Sequence, residues 1–200
     1  MKGSLIIVGF FVLGTICGVC HLLPFDIAET NISYYALCAL MFSVGLSVGN
    51  DPQTLKNFRS LNPRLIFLPI MTILGTLAGL GAVSLILTHR SITDCLAVGS
   101  GFGYYSLSSI FITEYKGAEL GTIALLANIS REILTLLAAP LLVRWFGNLA
   151  PISAGGATTM DTTLPIITRT AGQQFVVVSI FHGFVVDFSV PFLVTLFCSI

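Results

Sequence analysis

The sequence predicts an all-α integral membrane protein with about seven transmembrane segments, including discontinuous helices. Apolar residues make up 55% of the 200 positions and charged residues only 9%, whereas soluble domains carry about 25% charged residues. Mean hydropathy is +0.96, and several apolar runs approach the roughly 20 residues that a helix needs to cross a bilayer. Lipid must therefore cover much of the surface.

The composition also argues against other classes of protein. Formal net charge is zero and the nine basic residues are scattered, so no nucleic-acid partner is expected. Cys17 and Cys20 form a CxxC pair without a second such pair, so we expect packing cysteines and neither a metal nor a cofactor. The sequence contains no HExxH, P-loop or GxSxG motif, and we therefore expect no enzyme.

The first three segments are apolar runs at Leu5–Leu23, Tyr34–Val48 and Leu65–Thr88. No clear small-residue cleavage site follows the first run, so a membrane helix is a better interpretation than a signal peptide. The loop before the third run carries three basic residues, Lys56, Arg59 and Arg64. Because cytoplasmic loops are enriched in Lys and Arg, we expect this loop and the N-terminus inside and the C-terminus outside.

The fourth segment, Cys95–Thr113, is interrupted by the GSGFG run at 99–103 and by three serines. Backbone at membrane depth must satisfy its hydrogen bonds, so such an interruption persists only where protein shields it or where it lines a cavity. Spans of this kind are typical of discontinuous transporter helices, whose ends bind substrate or a coupling ion. Close packing through small residues, as in GxxxG contacts, is the alternative for this run.

The fifth segment, Leu120–Trp145, carries a polar stripe on an apolar helix. Asn128, Glu132 and Thr135 follow i, i+4, i+7 spacing and so share one face. A carboxylate at the middle of a membrane helix costs about 2.5–3.5 kcal/mol on insertion scales, which favours a functional role for Glu132. The alternative is a structural ion pair, for which the adjacent Arg131 points about 100° away on a helix.

The sixth segment, Ile152–Thr168, contains the run GGATTMDTTLP. Packing of small residues does not explain Asp161 set among four threonines. If the segment is helical there, Thr158, Asp161 and Thr162 share a face, and a carboxylate flanked by hydroxyls suits an ammonium group, a sodium ion or a carried proton. Alternatively, Asp161 caps a half-helix that begins near Thr162, and the two roles can coexist.

The seventh segment, Phe175–Cys198, holds His182 and Asp187. These residues are five apart and therefore lie on different faces of a helix. His182 could relay protons near neutral pH, or it could be a packing residue hydrogen-bonded to a neighbour.

Four sequence elements resemble those of one family of bacterial membrane proteins. They are SGFGYYSLS at 100–108, GAELGTIALLANISRE at 117–132, GGATTMDTTLP at 155–165 and HGF at 182–184. In order and similar spacing they resemble the SGFGWYSLSG, LGTxALLNDLARE, GATSMDxTLP and HGF elements of the bacterial lysine exporter family, LysO.

This resemblance implies export of L-lysine, and of lysine analogues, across the bacterial cytoplasmic membrane by an antiporter driven by proton or sodium entry. It also implies a carrier built from inverted five-helix repeats with broken helices. Asp161 and Glu132 would meet the substrate's ammonium groups, and a half-helix end would meet its carboxylate. The family pattern has Asp where this chain has Asn128, so a proton-carrying role is not expected at that position.

Longer members of the family carry about three more spans ahead of the matching part. Residues 1–200 are then one membrane domain, with 1–49 as the tail of the first repeat and 65–200 as the second. We expect a small hydrophobic subunit of about three spans, at ~20 residues each, or a homo-oligomer, to complete the carrier. The alternatives are a non-transporting membrane scaffold and a carrier of the same fold for another amino acid or amine.

The residues predicted to bind substrate or ion are Asp161, Glu132, Asn128, Thr158, Thr162, Ser106, Gly101, Gly156 and His182.

Overall fold

The computed structural model describes residues 63–87 and 89–200, together with scattered positions between 13 and 42. The chain divides into two units, Met1–Leu46 and Ser47–Ile200. The fold described below is that of the second unit. The first two predicted segments and the basic loop before the third lie outside the described residues, so the single-domain organisation stays a prediction.

The described part of the second unit consists of helices and contains no strand, which confirms the all-α class there. The α-helices are α1 (Phe67–Ser84), α2 (Ile92–Gly99), α3 (Tyr105–Lys116), α4 (Ala118–Phe146), α5 (Ala150–Gly155), α6 (Leu164–Ala171) and α7 (Val176–Ser199). Short 3₁₀ turns cover Pro63–Ile66, Gly156–Met160 and Gln173–Phe175.

Three of these helices are long and apolar enough to cross a membrane by length and composition. They are Phe67–Ser84, Ala118–Phe146 and Gln173–Ser199, which includes the short 3₁₀ turn before α7. They correspond to the third, fifth and seventh predicted segments. Much of their surface is apolar and exposed, with Leu126 59% and Leu137 74% exposed on α4, as expected for helices that face lipid.

The fourth predicted segment is a helical hairpin, α2 followed by α3. Lys116 Nζ lies 3.8 Å from Asp94 Oδ1, and Arg90 pairs with Glu119. A continuous helix would separate residues 94 and 116 by about 33 Å. The outer ends of α2 and α3 therefore lie together, and the break at residues 100–104 forms the tip.

The sixth predicted segment is a second hairpin, which runs from α5 through the 3₁₀ turn to α6. Ile152 of α5 shares one buried cluster with Ile167 and Ala171 of α6 and with Val178 of α7. Further along α7, the 3₁₀ turn packs directly against Gly183. The start of α5 and the end of α6 thus lie at the same level, and the turn between them lies deeper.

The two hairpins enter the fold from opposite ends. The apolar cluster around Ile152 also includes residues from the start of α1 and the end of α4, whereas the ion pairs at the base of the α2–α3 hairpin lie at the start of α4. Both hairpins contact α4 and α7. Seven transmembrane crossings are therefore not confirmed, because segments four and six, the two whose full crossing the sequence leaves open, enter and return on one side.

Candidate functional site

The tips of the two hairpins meet backbone to backbone. The Ala157 N–H donates to the Phe102 carbonyl oxygen at 2.9 Å. Gly156 has φ +64°, and a Cβ there would overlap the same carbonyl oxygen. Glycine is therefore required at position 156 for both its backbone conformation and this close approach.

Asn128 of α4 holds the tip of the α2–α3 hairpin. Its side-chain oxygen accepts the Gly103 N–H at 2.8 Å, and its amide nitrogen donates to the carbonyl oxygens of Val98 at 3.0 Å and Ala124 at 2.9 Å. A Cβ at Gly101 would collide with this amide. Asn128 is buried with its hydrogen-bonding groups engaged by the protein, so it positions the tip.

Arg131, one turn further along α4, holds the other hairpin. Its Nε donates to the Ala154 carbonyl at 2.8 Å and its Nη2 to the Ser153 carbonyl at 3.1 Å. These carbonyls belong to the last turn of α5, where a helix leaves acceptors unsatisfied and favours a positive charge. The guanidinium also lies 5.7 Å from the ring centroid of Phe102. Arg131 therefore caps one hairpin while it touches the tip of the other.

His182 ties the second tip to two long helices. Its Nε2 lies 2.9 Å from the Thr72 hydroxyl of α1, and its Nδ1 lies 3.2 Å from the Thr159 hydroxyl. The Thr159 hydroxyl also lies 2.8 Å from the Gly156 carbonyl oxygen and 2.9 Å from the Ser179 carbonyl oxygen, and it can donate its single proton to either of them. A neutral ring that donates from Nδ1 and accepts at Nε2 satisfies this network. The structure thus favours the interpretation of His182 as a hydrogen-bonded packing residue.

Asp161 lies just beyond the 3₁₀ turn, in the non-helical stretch before α6. It is exposed, and its Oδ1 accepts the N–H of the adjacent Thr162. The shared helical face predicted for Thr158, Asp161 and Thr162 does not form, because Thr158 is buried and residues 161–163 are not helical. The capping interpretation is also wrong, since α6 begins at Leu164 after Thr163 and has no side-chain cap.

Glu132 of α4 is the second of the two predicted carboxylates. It is half-buried, and it forms no hydrogen bond or ion pair in the part of the chain that the structure describes. Glu132 and Asp161 both act electrostatically on the phenol of Tyr105, at the start of α3. The two carboxylates predicted to bind substrate therefore both lie within electrostatic range of the start of α3.

The remaining predicted residues differ in placement. Thr158 donates from its hydroxyl to the Gly155 carbonyl at 2.9 Å and is buried. Ser106 and Thr162 are exposed. Sequence reasoning missed Tyr104 and Tyr105 beside the acids and considered Arg131 only as an ion-pair partner. The three-residue spacing of Asn128 and Arg131 on one helix was the available signal, because it places both side chains on neighbouring faces.

Two interrupted hairpins that meet at their tips, with carboxylates beside them, define a helical membrane protein with a polar site inside its fold. This arrangement is typical of membrane carriers rather than of enzymes. The sequence profile of the family described as "Lysine exporter LysO" matches residues 8–198. The chain belongs to the LysO lysine exporter family.

Two relatives are similar over nearly the whole chain. The "Lysine exporter LysO" of Escherichia coli strain K12 is 36% identical over 196 residues, which cover 98% of this chain and 64% of that protein. A protein of Haemophilus influenzae strain Rd, described as a candidate lysine exporter, is 35% identical over 196 residues, which cover 98% of this chain and 96% of that protein. The chain thus spans less than two thirds of the E. coli relative. No solved structure matches the chain.

Proposed function

We propose that this protein is a secondary transporter that exports L-lysine, and related cationic amino acids, from the bacterial cytoplasm in exchange for protons or sodium ions. The observation that carries the proposal is the pair of carboxylates, Asp161 and Glu132, beside the hairpin tips, to neither of which a basic side chain of the described residues is bound. Uncompensated carboxylates at membrane depth are costly and mark ion or substrate pathways. An ammonium group of the substrate supplies the missing charge.

The hairpin tips offer complementary groups for the substrate's own carboxylate. The start of α3 presents backbone N–H groups that have no partner within their helix. Helix N-termini of this kind attract anions. A dibasic amino acid is thereby recognised at both its cationic and its anionic groups.

The proposed orientation places the C-terminus outside the cell. With both hairpins re-entrant, Arg144 and Arg169 lie at the same end as the start of α1. Arg90 and Lys116 lie at the opposite end, where each is paired with an acid. Among the described helix ends, the basic residues without an acidic partner thus collect at one end, which the positive-inside bias assigns to the cytoplasm.

We further propose that additional spans complete the carrier, supplied by a small hydrophobic subunit or by a second copy of the chain. The support is the greater length of the E. coli relative, of which the matching part is 64%.

Substitution of the two acids tests the proposed function. Asp161→Asn and Glu132→Gln should each abolish lysine export from intact cells, because each removes a charge that the ammonium groups require. Both variants should insert and accumulate as the unmodified protein does. Glu114→Gln is the matched control, since Glu114 is an exposed carboxylate of α3, and it should export normally. Undiminished export by both site variants would refute the assignment.

A further inference from the structure

A third carboxylate, Asp187 of α7, lies in the interior of the fold. Asp187 is only 5% exposed, and it forms no hydrogen bond or ion pair within the described residues. No side-chain oxygen in the described part is both fully buried and unpartnered. The small exposed area of Asp187 therefore includes its carboxylate.

The position of Asp187 along α7 places it just beyond the second tip, on the side of the α2–α3 hairpin. Gly183 packs against Met160, the residue before Asp161, and Asp187 follows Gly183 by one helical turn on the same face. Cys198, near the end of α7, lies within electrostatic range of Asp94 and Lys116 at the base of the α2–α3 hairpin. Asp187 thus lies between the level of the second tip and that base.

Electrostatic interactions agree with this placement. Asp161 acts on the carboxylate of Asp187, and both acids act on the phenol of Tyr104, which directly precedes α3. Tyr104 belongs to the first tip, Asp161 follows the second tip, and Asp187 belongs to the helix that both hairpins contact. His182, the other ionisable group on this part of α7, is engaged by Thr72 and Thr159.

We infer that Asp187 and Asp161 together form a two-carboxylate cation site beside the hairpin tips. A buried carboxylate without a partner is costly, and a second carboxylate nearby adds repulsion, so a cation between them stabilises both. The ligand is a monovalent cation, either the ammonium group of the amino acid or the coupling ion. The identification of the cation as a substrate ammonium group rests on the proposed function, whereas the existence of a cation site does not.

The test compares Asp187→Asn, Asp187→Glu and the control Glu114→Gln in the full purified chain. Lysine and sodium chloride are added separately at fixed pH, with choline chloride as the ionic-strength control, and the rise in thermal midpoint is measured. The isosteric Asp187→Asn change should weaken binding of the cation that uses this site by about tenfold or more, because a charge-assisted contact is lost. Asp187→Glu should retain part of the response, and Glu114→Gln all of it.

The two sources of the cation give different results. Loss of the lysine response assigns the site to the substrate ammonium, and loss of the sodium response alone assigns it to a coupling ion. A third result is that sodium shifts the thermal midpoint of no variant and that Asp187→Asn still binds lysine. Export by Asp187→Asn should then lose its dependence on an imposed proton gradient, which assigns the site to a proton.

Folding and function are separated by two controls. Without ligand, Asp187→Asn should melt no lower than the unmodified chain, because it removes a repulsion; a lower midpoint would indicate a structural role and overturn the inference. The inference would also be overturned if Asp187→Asn showed the same thermal responses to lysine and sodium, and the same dependence of export on the proton gradient, as the unmodified chain. If the unmodified chain does not export lysine but its cation response still requires Asp187, the proposed function fails and the cation site stands.

Discussion

The contact between the hairpin tips predicts a large effect for a small substitution, Gly156→Ala. Gly156 has φ +64°, and an added Cβ would overlap the Phe102 carbonyl oxygen. Left-handed backbone costs a residue with a Cβ about 1–2 kcal/mol. Separation of the tips would also remove the Ala157–Phe102 hydrogen bond, worth about 0.5–1.5 kcal/mol. We therefore expect Gly156→Ala to destabilise the fold by about 2–3 kcal/mol.

Two other glycines separate the components of this effect. Gly147 also has a positive φ, +87°, but nothing lies within 4 Å of its Cβ position, so Gly147→Ala incurs the backbone cost alone. Gly75 lies inside α1 with open space around it, so Gly75→Ala should be neutral or slightly stabilising, because alanine favours helix by about 0.5–1 kcal/mol.

The assay is the thermal midpoint of each purified variant, together with lysine export from cells. Since 1 kcal/mol shifts the midpoint by about 2–4 °C in chains of this size, loss of the hydrogen bond alone should make Gly156→Ala melt about 1–6 °C below Gly147→Ala. Export should fall for Gly156→Ala and persist for Gly147→Ala. Equal midpoints for these two variants, with normal export by both, would refute the argument that the tips depend on this contact.

Two further predictions concern topology and assembly. Single cysteines that replace Arg144 and Arg169 in a cysteine-free chain should both be protected from an impermeant label added outside the cell. A cysteine that replaces Glu114 should react with the same label. Labelling at only one of positions 144 and 169 would instead support the topology with seven crossings. The purified chain alone, in liposomes loaded with labelled lysine, should show no efflux if a separate subunit is required, whereas efflux without a second polypeptide would refute the subunit and favour the homo-oligomer.

The long helices could be predicted from the sequence because a membrane imposes length and apolarity on them. The run Leu120–Trp145 became helix Ala118–Phe146, and Phe175–Cys198 became Val176–Ser199. The interruptions could also be predicted, since GSGFG and the Asp161 region contain residues that favour breaks. In both cases the signal lies within one short stretch of sequence.

The return of each interrupted segment could not be predicted from such local signals. Hydropathy reports whether a segment enters the bilayer, but the direction in which it leaves depends on contacts between distant residues. The pair Asp94–Lys116 and the contact between Arg131 and the Ala154 carbonyl each join residues more than twenty positions apart. Asn128 was predicted to bind substrate because the sequence does not show which distant backbone groups bind its side-chain amide.

The polar residues around the hairpin tips are of two kinds, those whose polar groups are hydrogen-bonded within the fold and carboxylates that are not. Asn128, Arg131 and His182 look functional by position, yet their polar groups are engaged by hairpin backbone or by threonine hydroxyls. Breaks at membrane depth require such partners, because exposed backbone groups in lipid cost several kcal/mol each. Within the described residues, Glu132 and Asp187 retain no hydrogen-bonding partner, and Asp161 accepts only from its own neighbour Thr162. Beside the hairpin tips, the described charged groups without a partner in another part of the fold are carboxylates, and the proposed cationic ligand rests on this arrangement.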